Sequence, residues 1–222
     1  MLLRLLRGGD ITEIIIGLCV SAFVVFCIIP IHEFAHAFIA YKMGDDTARL
    51  KGRLTLSPMA HVNWIGALMI LLVGFGYAEP VPVNIRNVRM QNKKLAMALI
   101  ALAGPLSNLI VAFVSVLLMF VINRFAPHDN IIAGSFITFF YYNAMINTNL
   151  AVFNFIPVPP LDGSRILFAV IPTKYYFSIM KYERYITIAI LLLLLTGALT
   201  TPLSMASNAI VRAFVNLFSL IF

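Results

Sequence analysis

The chain has 222 residues, of which 61% are hydrophobic and 11% charged, and its mean hydropathy is +0.96. No soluble domain of this size needs so large an apolar fraction, so the composition excludes an ordinary soluble protein and indicates one membrane-embedded unit over residues 1–222. The net charge of +7 does not indicate nucleic-acid binding, because the lysines and arginines lie mostly in short segments between apolar runs.

The chain begins with a short amphipathic segment at residues 1–10. An apolar run then predicts a membrane-spanning helix over residues 11–42, in which Pro30 predicts a kink. Residues 49–56 partly alternate between apolar and polar side chains, which indicates a strand or small hairpin. Residues 64–77 are apolar but short for a span, so they are interpreted as a re-entrant or interfacial segment.

Two prolines within residues 80–84 exclude a helix interior and favour an edge strand. Further apolar segments follow at residues 95–122, 131–155, 186–199 and 203–222, and whether the last of them spans is left open. Proline-rich residues 157–163 break the 131–155 helix into an unwound loop, and mixed residues 164–185 come next. The sequence therefore predicts an all-α polytopic membrane protein with about four to six transmembrane or membrane-embedded helices and a small membrane-associated β-hairpin or sheet.

Three loops, at residues 42–63, 84–94 and 164–185, hold twelve of the sixteen lysines and arginines. If the apolar segment after the first loop is re-entrant, these loops share one face of the membrane. The positive-inside rule then makes that face cytoplasmic. The turn at residues 123–130 is expected on the opposite face.

The motif His32-Glu33-Phe34-Ala35-His36 lies within the first apolar helix. Histidines four residues apart stand on one face of a helix, where both imidazoles can bind one Zn²⁺, and the intervening Glu33 can reach a water on the same ion. Ionisable residues in an apolar helix are costly unless they have partners or a function. The alternative interpretation is a chance match or a buried histidine pair whose hydrogen bonds are satisfied.

Two histidines need a third protein ligand to form a catalytic zinc site. Asp162 lies in the unwound loop at membrane depth, where non-helical backbone is tolerated only if it is buried in protein or lines a wet cavity. Its alternative interpretation is an ordinary helix-ending turn. His61 is the other candidate ligand, although a structural or supporting role explains it better, and the residues alone leave both open.

Further motifs follow in a fixed order along the chain. They are Gly52–Pro58 with His61, Pro80–Asn84, Ala103–Asn108, Asn149–Asn154 and Pro159–Gly163. Together with the His-Glu motif, they make the chain resemble the site-2 proteases, the intramembrane zinc metalloproteases of peptidase family M50, over roughly residues 15–170. The chain is similar to the compact bacterial and archaeal members, which carry no PDZ or CBS domain.

This resemblance implies one Zn²⁺ per chain, held by His32, His36 and Asp162, with Glu33 as the catalytic base. It also implies substrate-binding or oxyanion roles for Asn154, Asn149 and His61, and substrate binding by the strands at residues 49–56. The implied catalytic core covers about residues 11–170, and C-terminal helices cover about 175–222. Two departures concern substrate contacts: Asn63 stands where the family often has Asp, and Glu79 where a basic residue is common.

The implied function is hydrolysis of peptide bonds in or near transmembrane segments of membrane proteins, in a prokaryotic plasma membrane, with the site near the cytoplasmic side. The implied partners are helical membrane-protein substrates, the lipid bilayer and a regulatory membrane protein, with no nucleic acid. A zinc or proton transporter is the main alternative, but it does not explain why Glu33 stands between the two histidines. An inactive membrane-binding module is expected to lose a motif residue, and none is lost.

Overall fold

A computed structural model describes residues 11–73, 79–127 and 130–221. The α-helices in these ranges are α1 (Ile11–Phe23), α2 (Ile29–Lys42), α3 (Thr47–Leu50), α4 (Trp64–Val73), α5 (Lys93–Phe125), α6 (Ile131–Phe155), α7 (Asp162–Leu167), α8 (Thr173–Met180), α9 (Glu183–Leu195) and α10 (Thr200–Ser219). The described residues form no β-strand, so the all-α prediction is confirmed. The predicted amphipathic segment at residues 1–10 and the end of the 64–77 segment lie outside the described residues.

Two helical runs in the described ranges are long and apolar enough to cross a membrane: Ile14–Lys42, with 29 residues, and Lys93–Phe125, with 33. A helix rises about 1.5 Å per residue, so each run exceeds the roughly 30 Å thickness of a bilayer's hydrocarbon core. The larger number of four to six membrane-embedded helices stays a prediction.

The kink predicted at Pro30 corresponds to a π-helical segment, Val24–Ile28, that joins α1 to α2. Proline has no N–H with which to bond the carbonyl four residues earlier, which here belongs to Phe26. A π-helical turn is one way in which a helix absorbs such a missing bond. The His-Glu motif therefore begins just after the irregularity, on the regular helix α2.

Helices α5 and α6 pack along each other through small side chains. Ala112 of α5 and Ala144 of α6 are fully buried, and Val211 and Phe218 of α10 complete the same apolar cluster. Small residues allow helix backbones to approach closely, which is how helices associate inside membranes. This packing fixes α5 beside α6.

Polar side chains also join α5 to α6. The Asn143 amide donates a hydrogen bond of 2.7 Å to the Ser115 hydroxyl, and the Asn147 amide donates one of 3.0 Å to the Asn143 side-chain oxygen. All three residues are buried. Polar groups at membrane depth need such partners, because hydrocarbon offers none.

The hairpin predicted at residues 49–56 is wrong. Thr47–Leu50 forms α3, and the next three residues donate N–H groups back to carbonyls of that helix at 2.8–3.2 Å. Gly52 has φ of +67°, a left-handed conformation that glycine adopts at little steric cost. Local bonds to the preceding helix thus take the place of a strand ladder.

The edge strand predicted at residues 80–84 is also wrong, because the N–H groups of this segment bond to side chains. The N–H of Val81 donates to the Glu33 carboxylate at 2.9 Å, and the N–H of Asn84 donates to the Asp45 carboxylate at 2.6 Å. The exclusion of a helix by the two prolines holds.

Candidate metal centre

His32 and His36 lie one turn apart on α2, as their spacing predicts. Their Nε2 atoms are 3.1 Å apart, and their rings are nearly perpendicular, with an interplanar angle of 83°. Both Nε2 atoms therefore converge on one point beside the helix.

Asp162 completes the group from the first turn of α7. Its Oδ2 atom lies 3.3 Å from Nε2 of His32 and 3.2 Å from Nε2 of His36. The non-helical residues 156–161 deliver this carboxylate, since they let the chain turn back towards α2 after α6 ends. The predicted unwound loop is thus present, and His32, His36 and Asp162 form one group able to hold a metal ion.

A close approach at Gly163 keeps Asp162 in place. A Cβ at position 163 would overlap the carbonyl oxygens of Phe155 and Ile156 at the end of α6. Only glycine fits between these carbonyls. Gly163 therefore allows the chain to pack against the end of α6, which holds the neighbouring Asp162 carboxylate in place.

The three donor atoms fit Zn²⁺. With bonds of about 2.0–2.2 Å, a tetrahedral zinc ion places its ligand atoms about 3.3–3.6 Å apart, and the observed separations are 3.1–3.3 Å. Two imidazoles and one carboxylate are also a known donor set for catalytic zinc, which keeps a fourth position open for water.

The carbonyl of Ile100 on α5 orients His36. It lies 2.7 Å from Nδ1 of His36, so Nδ1 carries the proton and Nε2 keeps its lone pair for a metal. Such partners on the far nitrogen fix the tautomer and the ring orientation of metal-binding histidines.

Gly104, one helical turn after Ile100, gives the two imidazoles their space. A Cβ at position 104 would overlap Nε2 of His36 and would lie 2.6 Å from Nε2 of His32. The absence of a side chain here is therefore what allows α5 to pack against the face of α2 that carries His32 and His36.

Glu33 is buried beside this group but is not one of its ligating atoms. Its side chain is on α2 with only 8% of the residue exposed, and its Oε2 accepts the N–H of Val81. The other carboxylate oxygen, Oε1, accepts no hydrogen bond from the described residues.

His61 does not belong to the group able to hold a metal ion, and Asn149 and Asn154 have local hydrogen-bond partners. His61 is fully buried, and its Nε2 pairs with the carbonyl of Thr55 at 2.7 Å. The Asn149 oxygen accepts from Ser207 of α10 at 2.8 Å. The Asn154 amide donates to the carbonyl of Leu150 on its own helix at 3.0 Å, and the side chain is half-buried.

The two departures from the family pattern have local partners. The Asn63 side-chain oxygen accepts the N–H groups of Ile65 and Gly66, both at 3.1 Å, at the start of α4. An Asp can cap a helix in the same way. Glu79 forms an ion pair of 3.3 Å with Arg53.

Sequence reasoning missed the backbone groups that surround the metal centre. The carbonyl of Ile100 and the bare Cα of Gly104 lie four residues apart and so share one face of α5. The motif Ala103–Asn108 contributes to the family resemblance, and its glycine in an apolar helix is also a signal of close packing that could have located this contact. Nothing in the sequence marks the N–H of Val81.

Comparisons with known proteins agree on one family. The profile of Peptidase family M50 matches residues 20–133 and 121–196. A Bacillus subtilis (strain 168) protein named "Putative zinc metalloprotease YwhC" is 39% identical over 195 residues, which is 86% of this chain and 87% of that protein.

More distant relatives carry the same description. Rip2 of Mycolicibacterium smegmatis is 30% identical over 60% of this chain and 50% of its own length. MJ0611 of Methanocaldococcus jannaschii is 31% identical over 61% of this chain and 62% of its own length. No solved structure matches the chain.

Proposed function

The chain belongs to peptidase family M50 and is a zinc metalloprotease of the site-2 protease type, and from that premise we propose that it cuts peptide bonds in or near transmembrane segments of membrane proteins. The observation that carries the proposal is the convergence of His32, His36 and Asp162 with Glu33 beside them. A group of this kind inside a long apolar helix suits hydrolysis within a membrane.

In this proposal His32, His36 and Asp162 hold one zinc ion per chain. When bound, the ion supplies Lewis acidity that lowers the pKa of a water towards about 7 and polarises the substrate carbonyl. Two features of α5 support zinc binding by these residues. The Ile100 carbonyl orients His36, and the missing side chain at Gly104 leaves space for the Nε2 atoms of both histidines.

Glu33 acts as the general base. Its free Oε1 takes a proton from the attacking water and later delivers that proton to the leaving amine. The half-buried Asn154 has a second amide N–H beyond the one bonded to Leu150, and this donor could stabilise the developing oxyanion. Asn149 and His61 then act from a distance, through the packing of α10 and of the segment around Thr55.

The proposed substrates are membrane proteins with helical transmembrane segments. A helix hides its scissile carbonyls in backbone hydrogen bonds, and breaking them in hydrocarbon costs several kcal/mol each unless new partners appear. Substrate addition to a strand at residues 49–56 loses its basis, because those residues form α3 and a turn. We propose further that the protein is multi-pass in a prokaryotic plasma membrane, with its site near the cytoplasmic side. A second membrane protein is its proposed regulatory partner.

The test is cleavage in lipid vesicles that contain the purified protein and a tagged single-helix substrate. The wild type should cleave and lose activity on zinc removal, whereas Glu33→Gln should keep zinc without cleaving. Vesicle uptake of zinc is measured in parallel. Zinc uptake by the wild type without cleavage of any helical substrate would reject the protease and favour a transporter.

A further inference from the structure

Residues 79–90, here called the strap, run across α2 beside the metal centre. The strap contains no regular secondary structure, yet it is held along its length. Its N–H groups at Glu79, Val81, Asn84 and Arg89 donate to His61, Glu33, Asp45 and Met43, respectively.

The strap contacts Glu33 through the main chain of Val81. The N–H of Val81 donates to Oε2 of Glu33 at 2.9 Å in a buried position. A carboxylate held at one oxygen has a fixed rotamer, so the other oxygen points in one direction. The direction of Oε1 is therefore fixed on the residue that directly follows His32 in the chain.

Groups on both sides of Val81 fix its position. The Arg53 guanidinium donates to the carbonyls of Glu79 and Pro80. On the other side, the fully buried Asp45 accepts the N–H of Asn84 at 2.6 Å. The Val81 side chain is 7% exposed and packs against Ala37 and Ala48.

We propose that the strap is a positioning element of the protease, in which the main-chain N–H of Val81 orients the Glu33 carboxylate for proton transfer. This inference rests on the proposed role of Glu33 as the base. Arg53 and Asp45 act through Val81 by holding the strap in register. Their bonds to the strap serve the reaction by fixing the position of Val81.

The test compares Val81→Pro with Val83→Pro. Proline removes the backbone N–H and suits both sites sterically, because Val81 and Val83 alternate with prolines in a non-helical segment. The N–H of Val83 makes no hydrogen bond among the described residues, so Val83→Pro is the matched control. Zinc content, kcat and KM are measured for the full-length protein in vesicles with a tagged helical substrate.

We expect Val81→Pro to lower kcat about 10- to 100-fold, the usual effect of losing a group that supports a catalytic site. The KM and the zinc content should stay within about twofold of the wild type, and Val83→Pro should retain its kcat. A rise in KM with unchanged kcat would overturn the inference and make the strap a substrate contact. Loss of zinc would overturn it in favour of a structural role, and a gain in kcat would identify the strap as a block.

A backbone ester at position 81 keeps the valine side chain and replaces only the N–H, so it tests the same bond if Val81→Pro fails to fold. It should reproduce the loss of kcat, and an unchanged kcat would overturn the inference. The proposed function is tested separately by Glu33→Gln: undiminished cleavage by that variant rejects Glu33 as the base, whatever the Val81 variants do.

Discussion

At the scale of single residues, the candidate metal centre depends on the absence of a side chain at Gly104. Gly104 stands where any Cβ would overlap the Nε2 atoms of His32 and His36. Those atoms are the ones that would bind zinc. A substitution on α5 can therefore damage the site as directly as one in the His-Glu motif.

We predict that Gly104→Ala weakens zinc binding by at least about 100-fold, beyond the usual effect of losing a supporting contact. The physical reason is that the added methyl must displace both imidazoles from the positions in which their Nε2 atoms lie beside Oδ2 of Asp162. Competition with a zinc-binding dye measures the affinity. Gly134→Ala is the control, since a Cβ at position 134 on α6 meets nothing within 4 Å. Normal zinc affinity in Gly104→Ala would show that the imidazoles bind metal elsewhere.

The sequence was sufficient to place His32, Glu33 and His36, because helical spacing alone puts the two histidines on one face. Asp162 could be named only as a candidate, since its approach to α2 depends on the non-helical residues 156–161 and on Gly163. The Ile100 carbonyl and the Val81 N–H could not be predicted, because backbone groups have no sequence signature and their positions follow from helix packing.

At the scale of elements, the strap shows why the strand predicted at residues 80–84 is absent. The prediction at residues 80–84 correctly identified a non-helical segment but assumed that its N–H groups pair with another strand. Their partners are the carboxylates of Glu33 and Asp45. The two prolines exclude a helix, but they do not determine whether the remaining N–H groups pair with another strand or with side chains.

Asp45 makes the strap's attachment sensitive to pH. Burial opposes ionisation of this carboxyl, but bonds from the Thr47 hydroxyl and from the N–H groups of Asn84 and Thr47 outweigh burial and hold the pKa of Asp45 below its usual value. A lowered folded-state pKa contributes stability above the unfolded pKa of about 3.9. That stability is lost as the pH falls through the folded-state pKa.

We therefore predict that thermal unfolding of the wild type shifts to lower temperature more steeply between pH 6 and pH 3 than that of Asp45→Asn. The variant should be the less stable of the two at pH 6, because the asparagine amide has one acceptor oxygen where the aspartate carboxylate has two. Asp46→Asn is the control, since Asp46 forms a half-exposed pair with Arg49 of a kind that contributes little. Parallel curves for wild type and Asp45→Asn would contradict this account.

At the scale of the whole molecule, direct contacts join the three basic loops, which are residues 42–63, 84–94 and 164–185. The N–H of Arg89 donates to the carbonyl of Met43 at 2.7 Å, which joins the first loop to the second. Lys94 donates to the carbonyl of Ile171 at 2.7 Å and lies over the Phe168 ring, which joins the second loop to the third. These contacts support the prediction that the three loops share one face of the membrane, which is cytoplasmic in the proposed orientation.

Single cysteines test this orientation, in a protein whose Cys19 and Cys27 are replaced. Cysteines at Lys51 and Lys174 should react with an impermeant reagent only from the cytoplasmic side, and one at Asn130 only from the other side. The reason is that Lys51 and Lys174 lie in basic loops, whereas Asn130 lies just before α6, beyond the far end of α5. Labelling of Lys51 and Asn130 from the same side would contradict the proposed orientation.

The helical architecture could be predicted because apolar runs of 25 residues or more leave few alternatives in a membrane. The 131–155 prediction coincides with α6, and the 95–122 prediction lies within α5. How the C-terminal helices pack could not be predicted, because α10 joins α5 and α6 through scattered contacts such as Ser207 with Asn149. Such contacts follow no period along the sequence.

The most direct measurement of the central claim is the X-ray absorption spectrum of zinc in the loaded wild-type protein. Two imidazoles, the Asp162 carboxylate and a water predict a shell of nitrogen and oxygen only, at about 2.0–2.2 Å, with the outer-shell scattering of two histidine rings. A sulfur ligand at about 2.3 Å, or the scattering of a third imidazole from His61, would contradict the assignment of His32, His36 and Asp162 as the zinc site.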